Sequence, residues 1–191
     1  MSGFLISDQH FRHSNILEFE DRPFNSLDEM ESSMIKAWND VVGKNDEVIM
    51  LGDFCFGGHA AWIEILDQLK GKITLIKGNH DKSKVTSRVI KEGLIHEYHP
   101  LGKIIKVDKH ILNLSHYPLE IGVRPRNWSI HGHLHQNNGL YPNMVNVGVD
   151  NDFAKSFNLP FGTPVALEEL VKELNELLPV IEELFQQERG I

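Results

Sequence analysis

A single cysteine, Cys55, stands in a chain of 191 residues. A lone thiol excludes an internal disulfide and fits a reducing compartment. It also argues against the cysteine-rich ligand sets of structural zinc sites. Long apolar runs are missing as well, which excludes a transmembrane helix. Asp8 and His10 interrupt the only apolar stretch near the start, so no secretory leader is read there, and the expected location is cytoplasmic. Basic charge is in short supply: 19 Lys and Arg stand against 27 Asp and Glu, a formal net charge of −8. Phosphate backbones attract Lys/Arg surfaces, so a globally basic nucleic-acid binder is not expected, although local arginines or bound cations could still draw a phosphate. Internal repeats, low-complexity runs and linkers are also lacking, and the length suits one domain over residues 1–191.

What the chain does have is histidine, 11 in all, and a composition that is 41% hydrophobic and 24% charged, which suits a folded core. Histidine is the commonest metal ligand. The stretch GFLISD reads as a strand ending at Asp8. Ser26, with Glu29 three residues on, reads as a capping box that opens a helix. Met30, Met34, Ala37, Trp38 and Val41 continue that helix at helical spacing, and Gly43 is placed to stop it. EVIMLGD and KITLIKGNHD are two further strand runs, separated by the helix AAWIEILDQLKG and followed by the helix KSKVTSRVIKEG. This β-α-β-α-β-α order predicts an α/β fold with an at least partly parallel sheet.

The second half is expected to begin with two antiparallel strands turning at Asp108-Lys109, then two more in NWSIHGH and MVNVGVD. From Thr163 to Arg189 the spacing predicts a helix with an apolar stripe of Leu167, Leu170, Val171, Leu174, Leu177, Ile181 and Leu184. Pro179 is expected to kink or split it.

Polar residues gather at the predicted strand ends: Asp8 and His10, Asp53, Asn79 and His80, His116, and then His133 and His135. One Asp-x-His is a weak signal, whereas five such groups at five strand ends are a strong one. In open α/β sheets, ligands bind beyond the carboxyl ends of strands, and these residue types suit a mixed nitrogen and oxygen metal site. Gly52, Gly78 and Gly132 each adjoin a candidate ligand, where a glycine lets the backbone turn tightly or approach closely.

SDQH, LGD, KGNHD, LSHYP and HGHLH resemble, complete and in order, the five motifs of the calcineurin-like metallophosphoesterase superfamily. The opening FLISDQHFRHSNILEFEDRPF is similar to small single-domain members from bacteria and their phages, with Arg12 where glycine is common. The resemblance implies a four-layer α/β/β/α sandwich with two mixed sheets and a dinuclear metal site at strand C-terminal ends. Asp53 would bridge the metals, with Asp8, His10 and His135 completing one and Asn79, His116 and His133 the other. A metal-bridging hydroxide would attack phosphorus while His80 protonates the leaving alkoxide as general acid.

Asp81 is expected either to hold the His80 imidazole or to cap the next helix. His13, Asn15 and Arg22 are expected at the substrate, Arg22 as a phosphate fork; the plainer reading makes them a surface loop with Asn15 as a helix cap. His131 has no metal assigned to it and is read as a strand-end residue that supports a ligand. Manganese is expected from the resemblance, and Fe, Zn, Ni and Co suit the same ligands. The expected activity is hydrolysis of a small phosphate ester, a phosphodiester or nucleotide ahead of a monoester. A nuclease on DNA or RNA and a non-catalytic metal-binding scaffold are the alternatives. No membrane partner is expected, and oligomeric state is not legible.

Overall fold

A computed structural model describes residues 2–190. The chain runs β1 (Gly3–Ile6), α1 (Ile16–Phe19), α2 (Leu27–Val41), β2 (Glu47–Met50), α3 (His59–Leu66), β3 (Lys72–Ile76), α4 (Ser83–Lys91) and β4 (Glu97–His99). It continues through β5 (Gly102–Val107), β6 (His110–Ser115), β7 (Asn127–His131), β8 (Met144–Asn146), α5 (Asp152–Ser156), β9 (Val165–Ala166) and α6 (Leu167–Arg189).

The strands form two mixed sheets. The first has the order β4-β3-β2-β1-β9, with β1 to β4 parallel and β9 antiparallel to β1. The second has the order β5-β6-β7-β8, with an antiparallel β5/β6 hairpin and two parallel pairings after it. Strand periodicity divides the first sheet's side chains between two cores. Phe4, Ile6, Val48, Met50, Ile73 and Leu75 face one core together with Met30, Met34, Trp38, Trp62 and Val89 of the helices. Their sequence neighbours Leu5, Ile49, Leu51 and Ile76 belong to the other core, shared with Leu112, Leu114, Trp128 and Ile130 of the second sheet and Leu170, Leu174 and Ile181 of α6. Buried on both faces, the first sheet's strands read as near-continuous apolar runs, as parallel strands do.

Helix α2 starts as the sequence suggests. Ser26 Oγ accepts the Glu29 N–H at 3.2 Å, while the Glu29 carboxylate reaches past Ser26 to the Asn25 N–H at 2.9 Å. The C-terminal segment differs from expectation at its start, and of the two outcomes expected at Pro179, a kink or a split, the split does not occur. Val165 and Ala166 form β9 rather than helix, because Val165 and Leu5, and Ala166 and Phe4, pair across the sheet edge. Helix α6 then runs through Pro179 without being split. A mid-helix proline costs about 3 kcal/mol. Burial of Leu174, Leu178 and Ile181 on either side contributes roughly 1.5–3 kcal/mol for each side chain, which outweighs that cost.

His110 links α6 to the second sheet. Trp128 Nε1 donates to His110 Nδ1 at 2.8 Å, which leaves the hydrogen on Nε2 to donate to Asn175 Oδ1 at 3.1 Å. No helix among the described residues is long and apolar enough to cross a membrane.

Candidate metal centre

Five strands deliver the chemistry. Asp8 and His10 follow β1, Asp53 follows β2, Asn79 and His80 follow β3, His116 follows β6, and His133 and His135 follow β7. The two sheets meet at these ends, where Ser7 pairs with Gly148 beyond β8. The turns are conformationally unusual. Asp8, His10, Asp53, His133 and His135 all have positive φ, between 51° and 67°. This left-handed region is costly for residues that carry a Cβ, and five such residues in one cluster mark strain held for a purpose.

Glycines let the turns close on one another. A Cβ at Gly78 would stand 2.2 Å from Asp53 Oδ1, and one at Gly132 would stand 2.0 Å from Ser7 Oγ and 2.3 Å from Asp8 Oδ2. Arg12 also has a positive φ, 63°, which gives a physical reason for glycine being common at that position. Here the guanidinium is tied to Glu31 at 3.2 Å and to Glu64 at 2.5 Å.

Ligand atoms of Asp8, His10 and His135 lie within 4.8 Å of one another, and so do those of Asp53, His116 and His133. Asn79 joins the second group through Oδ1, 2.8 Å from His116 Nε2. Asp53 Oδ2 lies between the groups, 3.7 Å from His10 Nε2 and 3.5 Å from His116 Nε2.

The residues fit a pair of cations. His10 is 2% exposed, yet neither ring nitrogen has a hydrogen-bond partner. Burial lowers its pKa to about 3, so a proton cannot satisfy the ring near neutrality and a lone pair stays available. His116 Nδ1 faces the Leu51 carbonyl at 2.8 Å, which directs the other ring nitrogen towards Asn79 Oδ1 and Asp53 Oδ2. In the neutral ring that leaves three acceptors converging with no donor, an arrangement that calls for a positive charge. Burial alone would lower the His116 pKa, but the contact with Asp53 raises it above the usual value, so without a cation a proton fills the gap.

Asp8 is fully buried, and burial raises its pKa to about 6 despite the nearby His116 and His135. Below that pH the metal-free chain protonates Asp8, and a cation must displace the proton. Manganese affinity is therefore expected to fall as pH drops below about 6, and by more than tenfold per pH unit where protons on His116 and His135 must be displaced as well, as followed by calorimetric titration. The linkage for the metal-free fold has the opposite sense. An acid with a raised pKa stabilises the fold while protonated, and that contribution is lost as pH rises through about 6.

His80 belongs to neither ligand group. Its backbone N–H donates to Asp53 Oδ1 at 2.9 Å, its side chain is 43% exposed, and its Nε2 stands 3.9 Å from Asp53 Oδ2. Asp81 does something other than what was expected of it. Its carboxylate accepts the N–H groups of Gly78, Asp53 and Phe54 at 2.8, 3.0 and 3.0 Å, which ties the turn after β3 to the turn after β2. No hydrogen bond from Asp81 to the His80 ring forms among the described residues, and the N-cap position of α4 is Lys82.

Arg22 likewise departs from expectation. Its Nε and Nη2 grip the Asp150 carboxylate at 2.9 and 2.7 Å, Nη2 also donates to the Asp8 carbonyl at 2.7 Å, and Nη1 donates to the Gln9 carbonyl at 2.8 Å and to Met30 Sδ at 3.4 Å. A guanidinium has five N–H donors, so none is left for a phosphate fork.

His13 stacks on Phe56 at 4.0 Å with planes 7° apart, next to His10 and His80. Asn15 is exposed at the N-cap position of α1 without a side-chain capping bond. Cys55 is buried, with its thiol pKa pushed up to about 12 by that burial, and behaves as a small apolar side chain.

The three histidines of SIHGHLH separate. His133 and His135 enter different ligand groups, while His131 is buried at the end of β7 with Nδ1 at the Gly132 carbonyl, 2.8 Å away. Accordingly, His133→Ala is expected to lose one bound cation per chain, and His131→Ala to retain both, as read by metal analysis after gel filtration.

Asp150 and Glu20 escaped the sequence reading. Asp150 is 1% exposed and places Oδ2 3.2 Å from His135 Nδ1, and Glu20 Oε1 lies 3.4 Å from the same nitrogen. Asp150 ends the apolar run MVNVGVD, the same signal that marks Asp8 and Asp53. Glu20 carries no such mark.

Known proteins share this arrangement of sequence. A family model described as calcineurin-like phosphoesterase matches residues 4–182. An uncharacterized protein of Methanocaldococcus jannaschii, MJ1445, is 36% identical over 176 residues, covering 88% of this chain and 89% of that one. The gene 66 protein of Mycobacterium phage L5 is 35% identical over 81 residues, covering 41% of this chain and 39% of that protein. Among solved structures, a protein of unknown function from Aquifex aeolicus, AQ665, shares the fold with a TM-score of 0.68 at 24% identity, covering 90% of this chain and 98% of its own.

Proposed function

The chain belongs to the calcineurin-like phosphoesterase family, a family of metal-dependent phosphoric ester hydrolases, and from that premise we propose that it hydrolyses a small phosphodiester or nucleotide with His80 as general acid. The observation that carries this reading is the half-exposed His80 imidazole beside Asp53, a carboxylate that itself lies between two groups of ligands.

In this reading Asp8, His10 and His135 would hold one cation, Asn79, His116 and His133 would hold the other, and Asp53 would be shared between them. Manganese is the preferred occupant from the family resemblance, while the imidazole, carboxylate and amide donors suit Fe, Zn, Ni and Co as well. When bound, the cations would supply charge to the phosphoryl oxygens and a water nucleophile that ionises near neutral pH.

The protein's own part is positional. The His80 N–H on Asp53 Oδ1 sets the acid at a fixed place relative to the cations, so that its ring can hand a proton to the leaving oxygen as the ester bond breaks. Phe56 flanks His80 with ring centres 4.9 Å apart, and Phe19 lies beyond His13, 66% exposed. Tyr117 stands by His133 and His116, at 4.6 and 5.1 Å, and is 50% exposed. Of these rings, Phe19 and Tyr117 are the exposed ones and would be the partners for a nucleobase, since Phe56 is covered by His13; such stacking is worth about 1–3 kcal/mol per base.

A panel of mono- and diesters, aryl and nucleotide, assayed with Mn and competing metals tests this reading. Preference for diesters over monoesters supports it, and inertness of the loaded chain towards every ester sinks it. The nuclease reading requires DNA or RNA binding with a steep salt dependence, which a net charge of −8 does not favour.

A further inference from the structure

We infer that Arg22 and Asp150 form a buried positioning pair that holds the Asp8, His10 and His135 half of the metal centre in ligating geometry. The inference rests on the metal-centre reading above and adds a division of labour within it. Arg22 and Asp150 come from opposite ends of the chain, 128 residues apart, and their side chains are 0% and 2% exposed. A buried ion pair is weak evidence for stability, because desolvation offsets much of its attraction. The contacts made by its remaining atoms point to its use.

Arg22 reaches the carbonyls of Asp8 and Gln9, so it grips the backbone of the turn that carries two ligands of one cation. Asp8 and His10, on either side of Gln9, have φ of 60° and 52°. The guanidinium thus opposes relaxation of that turn to an unstrained backbone. Asp150 acts on the third ligand. With Oδ2 on His135 Nδ1, the carboxylate favours the tautomer with hydrogen on Nδ1, which leaves the Nε2 lone pair free for the metal. The His135 ring stacks on His10 with centres 5.0 Å apart, so orienting one imidazole orients both. Among the described residues, no arginine–carboxylate pair of this kind reaches the other half. There, His116 is oriented by the Leu51 carbonyl, and Asp81 carries the turns.

Asp150 also falls within a third close group with Glu20 and His135. The Arg22 charge already compensates the Asp150 carboxylate through both oxygens. A positioning role accounts for Asp150 without making it a ligand.

The test loads wild-type chain and Asp150→Asn with Mn, and measures affinity by calorimetry, stoichiometry by metal analysis and the coupled two-Mn signal by electron paramagnetic resonance. The melting temperature of each metal-free chain serves as the control for folding. Wild type is expected to bind two cations. Asp150→Asn is expected to lose roughly 10- to 100-fold in affinity for one of them, with an uncoupled Mn signal at intermediate loading.

Because Asp150→Asn leaves a buried guanidinium poorly paired, a second variant removes both charges. Arg22→Met combined with Asp150→Leu is expected to melt within a few degrees of wild type and still to bind one cation weakly. Arg22→Lys keeps the charge but cannot span the same acceptors, and should also fail to restore the second cation. Two cations bound with wild-type affinity in Asp150→Asn or in the double variant overturn the inference alone. Equal weakening of both cations overturns it too, as does loss of a third cation, which would make Asp150 a ligand. A wild-type chain that binds no cation overturns the metal centre and this inference together.

Discussion

Asp53→Asn is expected to release both cations and reduce phosphoester hydrolysis to the rate of the metal-stripped chain. The substitution keeps the shape and removes the charge, at a position where two groups of ligands meet. A neutral amide can present one oxygen to one cation, but its NH2 would then face the imidazole nitrogens that need a cation. The effect therefore extends to both ligand groups, unlike His133→Ala, which concerns one. Metal analysis and steady-state hydrolysis on the same preparation decide the matter. Two retained cations, or activity within tenfold of wild type, would show that Asp53 is not shared.

His80→Ala is expected to behave differently, keeping both cations while lowering kcat by roughly 10²- to 10⁴-fold, the usual contribution of general acid catalysis. The ring lies outside both ligand groups, and its anchoring bond to Asp53 is made by the backbone N–H, which alanine preserves. The deficit should depend on the leaving group. An aryl oxide departs without much help from a proton, so aryl esters should lose least. An alkoxide such as a ribose oxygen needs protonation, so nucleotide diesters should lose most. A uniform loss across leaving groups would argue for binding rather than proton transfer, and loss of metal would make His80 a ligand.

Both variants concern residues that sequence order made legible. A metal site built at the ends of strands leaves a repeated local mark, an apolar run followed by Asp, Asn or His, and five such runs could be found without any contact map. The structure brings together the residues of all five. What could not be found that way are the jobs assigned by contacts between distant segments. Asp81 is adjacent to His80 in sequence and precedes a helix, which suggests a partner for the imidazole or a cap, yet its carboxylate serves the backbone of two turns, one of them 27 or 28 residues away. Arg22 looked like a phosphate fork because an arginine near a metal motif suits one, and only its burial against Asp150 revealed that its donors were already engaged. Strand β9 went unseen for a related reason. Its two residues have no period of their own, and their pairing with Leu5 and Phe4 joins segments about 160 positions apart.

The left-handed turns have a further consequence, for how the protein takes its metals from the cell. Asp8, His10, Asp53, His133 and His135 hold their costly backbone conformations through packed glycines, an arginine clamp and a buried aspartate, all of which belong to the fold. Little refolding is then needed for a cation to enter or leave. A centre formed in advance in this way selects its ion by the geometry and donor types that the fold holds ready, together with which divalent ions are available.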